Sequence, residues 1–121
     1  MKPSFLKSVS FAVNGLTLAW HEKHFKIHLV AAVLCITFGF LLKINITEWF
    51  VILICIGAVL SLEIINTAIE HLVDLVEPNY NPKAGAIKDL AAGAVLIFSI
   101  FSAVVGFLIF GKYILALLYS N

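Results

Sequence analysis

The chain is 121 residues long, one domain's worth of protein, with 62% hydrophobic residues and only 12% charged ones. Soluble domains are about a quarter charged and about half apolar, so this chain has too few charges to coat a soluble globule and reads as a membrane protein. Its formal net charge of +1, with all eight basic residues lysine, provides no field suited to nucleic acid.

The expected architecture is all-α. Residues 3–22 mix apolar and polar groups, with Phe5, Val9, Ala12, Leu16 and Ala19 at helical spacing. This pattern predicts an amphipathic helix lying in the membrane interface, with Gly15 as a point of weakness. The first 26 residues lack a long apolar run and an A-x-A-like site, so no secretory signal is expected. A bilayer core of about 30 Å needs about 20 helical residues, and three segments qualify, at about 25–42, 49–76 and 88–118. The third is the cleanest, with no charge between Leu90 and Gly111. Cys35 and Cys55 lie in apolar runs without paired spacing and read as packing residues rather than a disulfide or metal knuckle. Trp20 and Trp49 read as interfacial anchors, His21 and His24 as interface-facing, and Gly93, Gly106 and Gly111 as sites of close helix packing.

Lys2, Lys7, Lys23 and Lys26 precede the first span, and Lys83 and Lys88 precede the third. Lys43 alone lies between the first two spans, and Lys112 follows the charge-free stretch of the third. The positive-inside bias places the N-terminus and the 77–88 loop in the cytoplasm and the 43–48 turn outside.

The second span begins as an ordinary lipid-facing helix and then acquires polar residues. At 100° per residue, Glu63, Asn66, Thr67, Glu70 and Asp74 fall within an arc of about 100°, while Ile64, Ile65, Ala68, Ile69, Leu72 and Val73 cover most of the remainder. Glu63 lies roughly 21 Å along the helix from Trp49, still inside the hydrocarbon. A carboxylate there costs at least about 2.5 kcal/mol on insertion scales, so a partner or cavity is expected. Glu70 lies about 10 Å further on, near the inner interface, with His71 at the edge of the polar arc.

At that depth the stripe meets Glu22, which ends the interfacial helix, and Lys88 and Asp89, which open the third span after the turn-rich loop Glu77-Pro-Asn-Tyr-Asn-Pro-Lys83. Carboxylates with a lysine at a helix start match the needs of an MgATP site, since Mg²⁺ takes one or two carboxylates and fills its shell with phosphate and water. Glu63, deeper, is placed to take a proton from a lipid hydroxyl. These features support an interfacial metal–phosphate site with a deeper base, without singling out a kinase. No G-x-x-x-x-G-K-[ST] run or protein-kinase signature is present. A small proton-coupled exporter would explain an intramembrane Glu63 but not the stacked carboxylates or the Lys88-Asp89 pair. A purely structural subunit would not need Glu63.

The run Glu63-Ile-Ile-Asn66-Thr67-Ala68-Ile69-Glu70-x-x-Val73-Asp74, followed by Lys88-Asp89-x-Ala91-Ala92-Gly93-Ala94-Val95-Leu96, resembles the signature of the prokaryotic diacylglycerol and undecaprenol kinases. The resemblance covers nearly the whole chain. It implies a homotrimer in the bacterial cell membrane, with a surface helix, three transmembrane helices per subunit and active sites at subunit boundaries. It also implies that ATP, with Mg²⁺, phosphorylates a membrane lipid, either diacylglycerol or undecaprenol. Carried over by position, Glu63 is the general base beside the lipid, Asn66 supports catalysis, and Glu22 and Glu70 hold the metal of the metal–nucleotide complex. Asn79, Tyr80, Asn81, Lys88 and Asp89 engage ATP. Ser4 and Phe11 stand where enterobacterial-type members carry an Arg and a Tyr that contact nucleotide, and His28 replaces an acidic residue. The form Glu22-Lys-His-Phe25-Lys-Ile-His28 is similar to the branch that includes undecaprenol kinases.

Overall fold

A computed structural model describes residues 1–120. Among them are four α-helices, α1 (Phe5–Trp20), α2 (Lys23–Leu41), α3 (Ile46–Val76) and α4 (Pro82–Tyr119). Helices α2, α3 and α4 are each long and apolar enough to cross a membrane. Helix α1 starts at Ser4, whose side chain accepts from the Lys7 backbone N–H at 3.4 Å. It runs through Gly15 without a break, so the expected weakness there does not interrupt the helix.

The second and third spans start earlier than the apolar pattern indicates, because capping chemistry rather than hydropathy sets their ends. Helix α2 ends in a Schellman motif. Lys43 adopts a left-handed φ of 54°, its N–H reaches the Phe40 carbonyl at 3.3 Å, and the Ile44 N–H reaches Gly39 at 3.2 Å. Asn45 then opens α3 with a capping box. Its side-chain oxygen accepts from the Glu48 N–H at 2.9 Å, and Glu48 accepts from the Asn45 N–H at 3.0 Å. The turn between α2 and α3 is therefore very short. Helix α4 begins at Pro82 rather than Lys88, which shortens the expected 77–88 loop. Asn81 caps it, accepting from Lys83 N–H at 2.9 Å and Ala84 N–H at 3.4 Å, and Pro82 fits the first turn, where no backbone donor is needed. At about 1.5 Å per residue, α4 is roughly 57 Å long, well beyond the ~30 Å hydrocarbon core. Its ends therefore extend past the apolar layer.

Helix α3 packs most extensively on α4 and next on α2, while α1 touches α2. The antiparallel α3–α4 pair is tied at both ends. At one end Glu48, only 7% exposed, accepts from the Tyr113 hydroxyl at 2.6 Å and pairs with Lys112. At the other end Lys88 pairs with Asp74. These ties fix the register of the polar stripe against α4. Most large apolar side chains face outward, as expected for helices whose surrounding solvent is lipid. Among the described residues the buried polar ones are Glu48, Glu63 and Asn66.

Close packing falls at a different glycine from those expected. A Cβ at Gly93 or Gly111 would meet nothing within 4 Å in the chain, and one at Gly106 would only touch Phe110 at 4.0 Å. At Gly39 it would lie 2.7 Å from Trp49 Cη2 and 3.2 Å from Ile44 Cδ1. Trp49 also packs on Phe40, with ring centroids 4.8 Å apart, so it holds the hairpin together. Gly39→Ala should therefore destabilise the protein by about 1–3 kcal/mol through overpacking, measured by thermal unfolding in detergent. Adding Trp49→Leu should recover part of that loss.

Candidate active site

Glu63 sits mid-way along α3 and is 4% exposed. Its nearest ionisable neighbour is on α2, where His28 Nε2 lies 3.6 Å from Glu63 Oε2. One turn further, Asn66 is 5% exposed. Its amide nitrogen donates to Glu70 Oε1 at 3.2 Å, while its Oδ1 is buried with no hydrogen-bond partner among the described residues. Buried polar atoms are nearly always paired, so this free acceptor marks a place for a donor. Glu22, in the break between α1 and α2, makes no side-chain cap bond. Its Oε1 lies 3.5 Å from His71 Nε2. Because His71 follows Glu70 directly, this contact brings Glu22 to the level of Glu70, as the sequence indicated. It also gives the edge residue His71 a specific partner.

The remaining expected residues gather in a polar pocket of about 520 Å³ where α3 passes into α4. Asn79, Tyr80, Asn81, Lys88 and Asp89 all line it, joined by Asp74 and Glu77. Tyr80 is almost fully exposed. The Asn79 backbone N–H is held by Glu77 Oε1 at 3.2 Å. Asn81 spends its side-chain oxygen on capping α4, and Lys88 pairs across to Asp74 rather than to its neighbour Asp89. Pairing at this spacing is a helix–helix contact that residue order along one strand of sequence does not reveal. Of the three positions that depart from the enterobacterial-type pattern, Ser4 caps α1, Phe11 is exposed and His28 lies beside Glu63.

The site thus has two adjoining parts on successive turns of α3. One is a polar group, the carboxylates of Glu22 and Glu70 with the Asn66 amide, with Glu63 above it. The other is a loop pocket with one lysine and three carboxylates, Asp74, Glu77 and Asp89. On the membrane side of Glu63, α2, α3 and α4 enclose an apolar pocket of about 380 Å³. His28 lines it, as do Ser99 and Ser102, whose hydroxyls are buried without partners among the described residues. His28 was legible in sequence only as an unusual residue in its motif, since its approach to Glu63 depends on how α2 packs against α3. The two serines carried no signal within an apolar span.

Residues 10–110 match the family described as prokaryotic diacylglycerol kinase. The chain belongs to that family. An undecaprenol kinase of Bacillus subtilis (strain 168) is 45% identical over 88% of this chain and 87% of its own length. A diacylglycerol kinase of Helicobacter pylori (strain 26695) is 36% identical over 92% of this chain and 84% of its own length. A diacylglycerol kinase of Escherichia coli (strain K12) is 30% identical over 76% of each. As a member of the prokaryotic diacylglycerol kinase family, the chain is an enzyme of the kinase class, and with three membrane-capable helices it is a membrane protein. Family membership leaves the exporter reading without support.

Proposed function

We propose that the protein transfers the γ-phosphoryl group of MgATP to the hydroxyl of a membrane lipid, with undecaprenol as the preferred acceptor. The observation that carries this reading is the buried Glu63, supported on the same helix by an unpaired Asn66 acceptor and, two turns along, by the polar pocket. A base in the hydrocarbon and a polar pocket at its edge suit a lipid acceptor meeting a water-soluble donor. The 45% identity to an undecaprenol kinase, against 30–37% to diacylglycerol kinases, supports the acceptor.

In this reading Lys88 and the backbone N–H groups of Tyr80 and Asn81 hold the nucleotide phosphates. Three carboxylates around one lysine would repel bare ATP, so the pocket suits a nucleotide that arrives with a cation. Glu22 and Glu70 are the residues that would hold Mg²⁺, which typically takes one or two carboxylates and completes its shell from phosphates and water. When bound, the ion would offset negative charge on the phosphoryl oxygens. Glu63 accepts from the lipid hydroxyl, and Asn66 Oδ1, one turn away, offers a further acceptor to the bound substrates. As the hydroxyl oxygen bonds to the γ-phosphorus, the bond to the β–γ bridging oxygen breaks and the hydroxyl proton passes to Glu63. The neighbouring apolar pocket suits the acceptor's hydrocarbon.

The lysine distribution supports a bacterial cytoplasmic-membrane location with the N-terminus and the 77–81 loop inside. The Glu22–His71 contact puts the α1–α2 break and the end of α3 on one side. Helix α1, with Phe5, Val9 and Leu16 exposed, would lie along that interface. A homotrimer is proposed from the family resemblance, with Tyr80 and Asp89 free to meet a neighbouring subunit.

Glu63→Gln should lower turnover by about 10²–10⁴-fold, with an unchanged helical circular-dichroism spectrum; wild-type turnover would remove the base assignment. Glu70→Gln should instead shift the Mg²⁺ titration of activity to higher concentration, and an unchanged titration would remove Glu70 as a ligand.

A further inference from the structure

The surroundings of Glu63 contain less support than a working base requires. Its carboxylate is 4% exposed and accepts no hydrogen bond from any described residue. Asn66, one turn away, directs its amide to Glu70 instead. A carboxylate with two free torsions beyond Cβ and no donor can point either oxygen away from the substrate. General-base transfer requires the base within about 2.6–3.2 Å of the proton it takes. One side chain stands close enough to set that orientation, His28 on α2, at 3.6 Å from Glu63 Oε2. The distance is slightly beyond a hydrogen bond, and such contacts commonly tighten when substrates fill a site.

His28 also occupies a distinctive place. It lines the apolar pocket beside Ala31, Cys35, Val59 and Ser99 while its ring nitrogen faces the carboxylate. It therefore stands between the hydrocarbon space and the base. Because it is on α2 and Glu63 on α3, the pair also links the hairpin fixed by Lys43 and Asn45 to the reacting end of the stripe.

We propose that His28 is a positioning residue for Glu63, directing its Nε2–H at Oε2 so that the other carboxylate oxygen is presented to the acceptor hydroxyl. This rests on the reading of Glu63 as general base. Among the described residues His28 does not line the loop pocket and makes no hydrogen bond or ion pair with Glu22 or Glu70, so its effect falls on the chemical step and not on MgATP binding.

The test is steady-state kinetics of the full chain in mixed micelles with MgATP and undecaprenol, for His28→Ala, His28→Leu and His28→Gln. The glutamine amide can donate at a similar reach, and leucine has the bulk without the donor. His28→Ala and His28→Leu should lower kcat by about 10²-fold, the scale of a misplaced catalytic group, with the KM for ATP unchanged. His28→Gln should recover most of the loss. Should alanine fail to fold, the leucine–glutamine pair carries the comparison. Wild-type kcat in His28→Leu, glutamine as slow as leucine, or a loss confined to the KM for ATP would each overturn the proposal. Wild-type turnover in Glu63→Gln, measured alongside, would instead overturn the base reading, and this proposal with it.

Discussion

A carboxylate held within a membrane helix is the constraint around which this structure is organised. A carboxylate at the depth the sequence gives Glu63 costs at least about 2.5 kcal/mol on insertion scales. The nearest ionisable side chain is supplied by a second helix. His28 of α2 comes within 3.6 Å, and Asn66 and Glu70 continue the polar face toward the interface through their own hydrogen bond. Ile64, Ile65, Ala68, Ile69, Leu72 and Val73 cover most of the rest of this part of α3, so Glu63, Asn66, Glu70 and Asp74 are confined to one face of the helix.

Holding that face in register requires fixed ends. The Schellman turn and Asn45 capping box lock α2 to α3. The Glu48–Tyr113–Lys112 group and the Lys88–Asp74 pair tie α3 to α4 at opposite ends. The Lys88–Asp74 pair is largely in contact with water and contributes little stability; its importance is that it presents Lys88 to the polar pocket. Glu48, by contrast, is a buried group with several partners, and its role is to anchor the end of the bundle away from the site. The polar pocket is thus built on the facing ends of α3 and α4, and a shift of α4 along α3 would disturb it.

Much of this was legible in the sequence, for a physical reason. A polar stripe in an apolar span is conspicuous because insertion penalises it, so Glu63, Asn66, Glu70 and Asp74 announced both their face and their depth. Likewise, Asn79, Tyr80, Asn81, Lys88 and Asp89 were expected to share a site, and one pocket contains them all. The helix ends were less legible, because Asn45, Asn81 and Pro82 extend α3 and α4 by local hydrogen bonding that hydropathy does not register. The interhelical contacts were least legible. Glu48 gave no sign of meeting Tyr113, 65 residues away, nor Gly39 of facing Trp49, because both depend on how the helices pack. The approach of His28 to Glu63 and the placing of Ser99 and Ser102 in the apolar pocket share this dependence.

The most direct test of the account is transfer of a labelled γ-phosphoryl group from ATP, by the purified protein in mixed micelles with Mg²⁺, to undecaprenol and diacylglycerol in parallel. The account predicts magnesium-dependent label in the lipid fraction, with undecaprenol phosphorylated faster. Faster transfer to diacylglycerol would contradict the acceptor assignment while keeping the kinase. A folded protein that labels neither lipid would contradict the account of Glu63 as a base acting on a membrane alcohol.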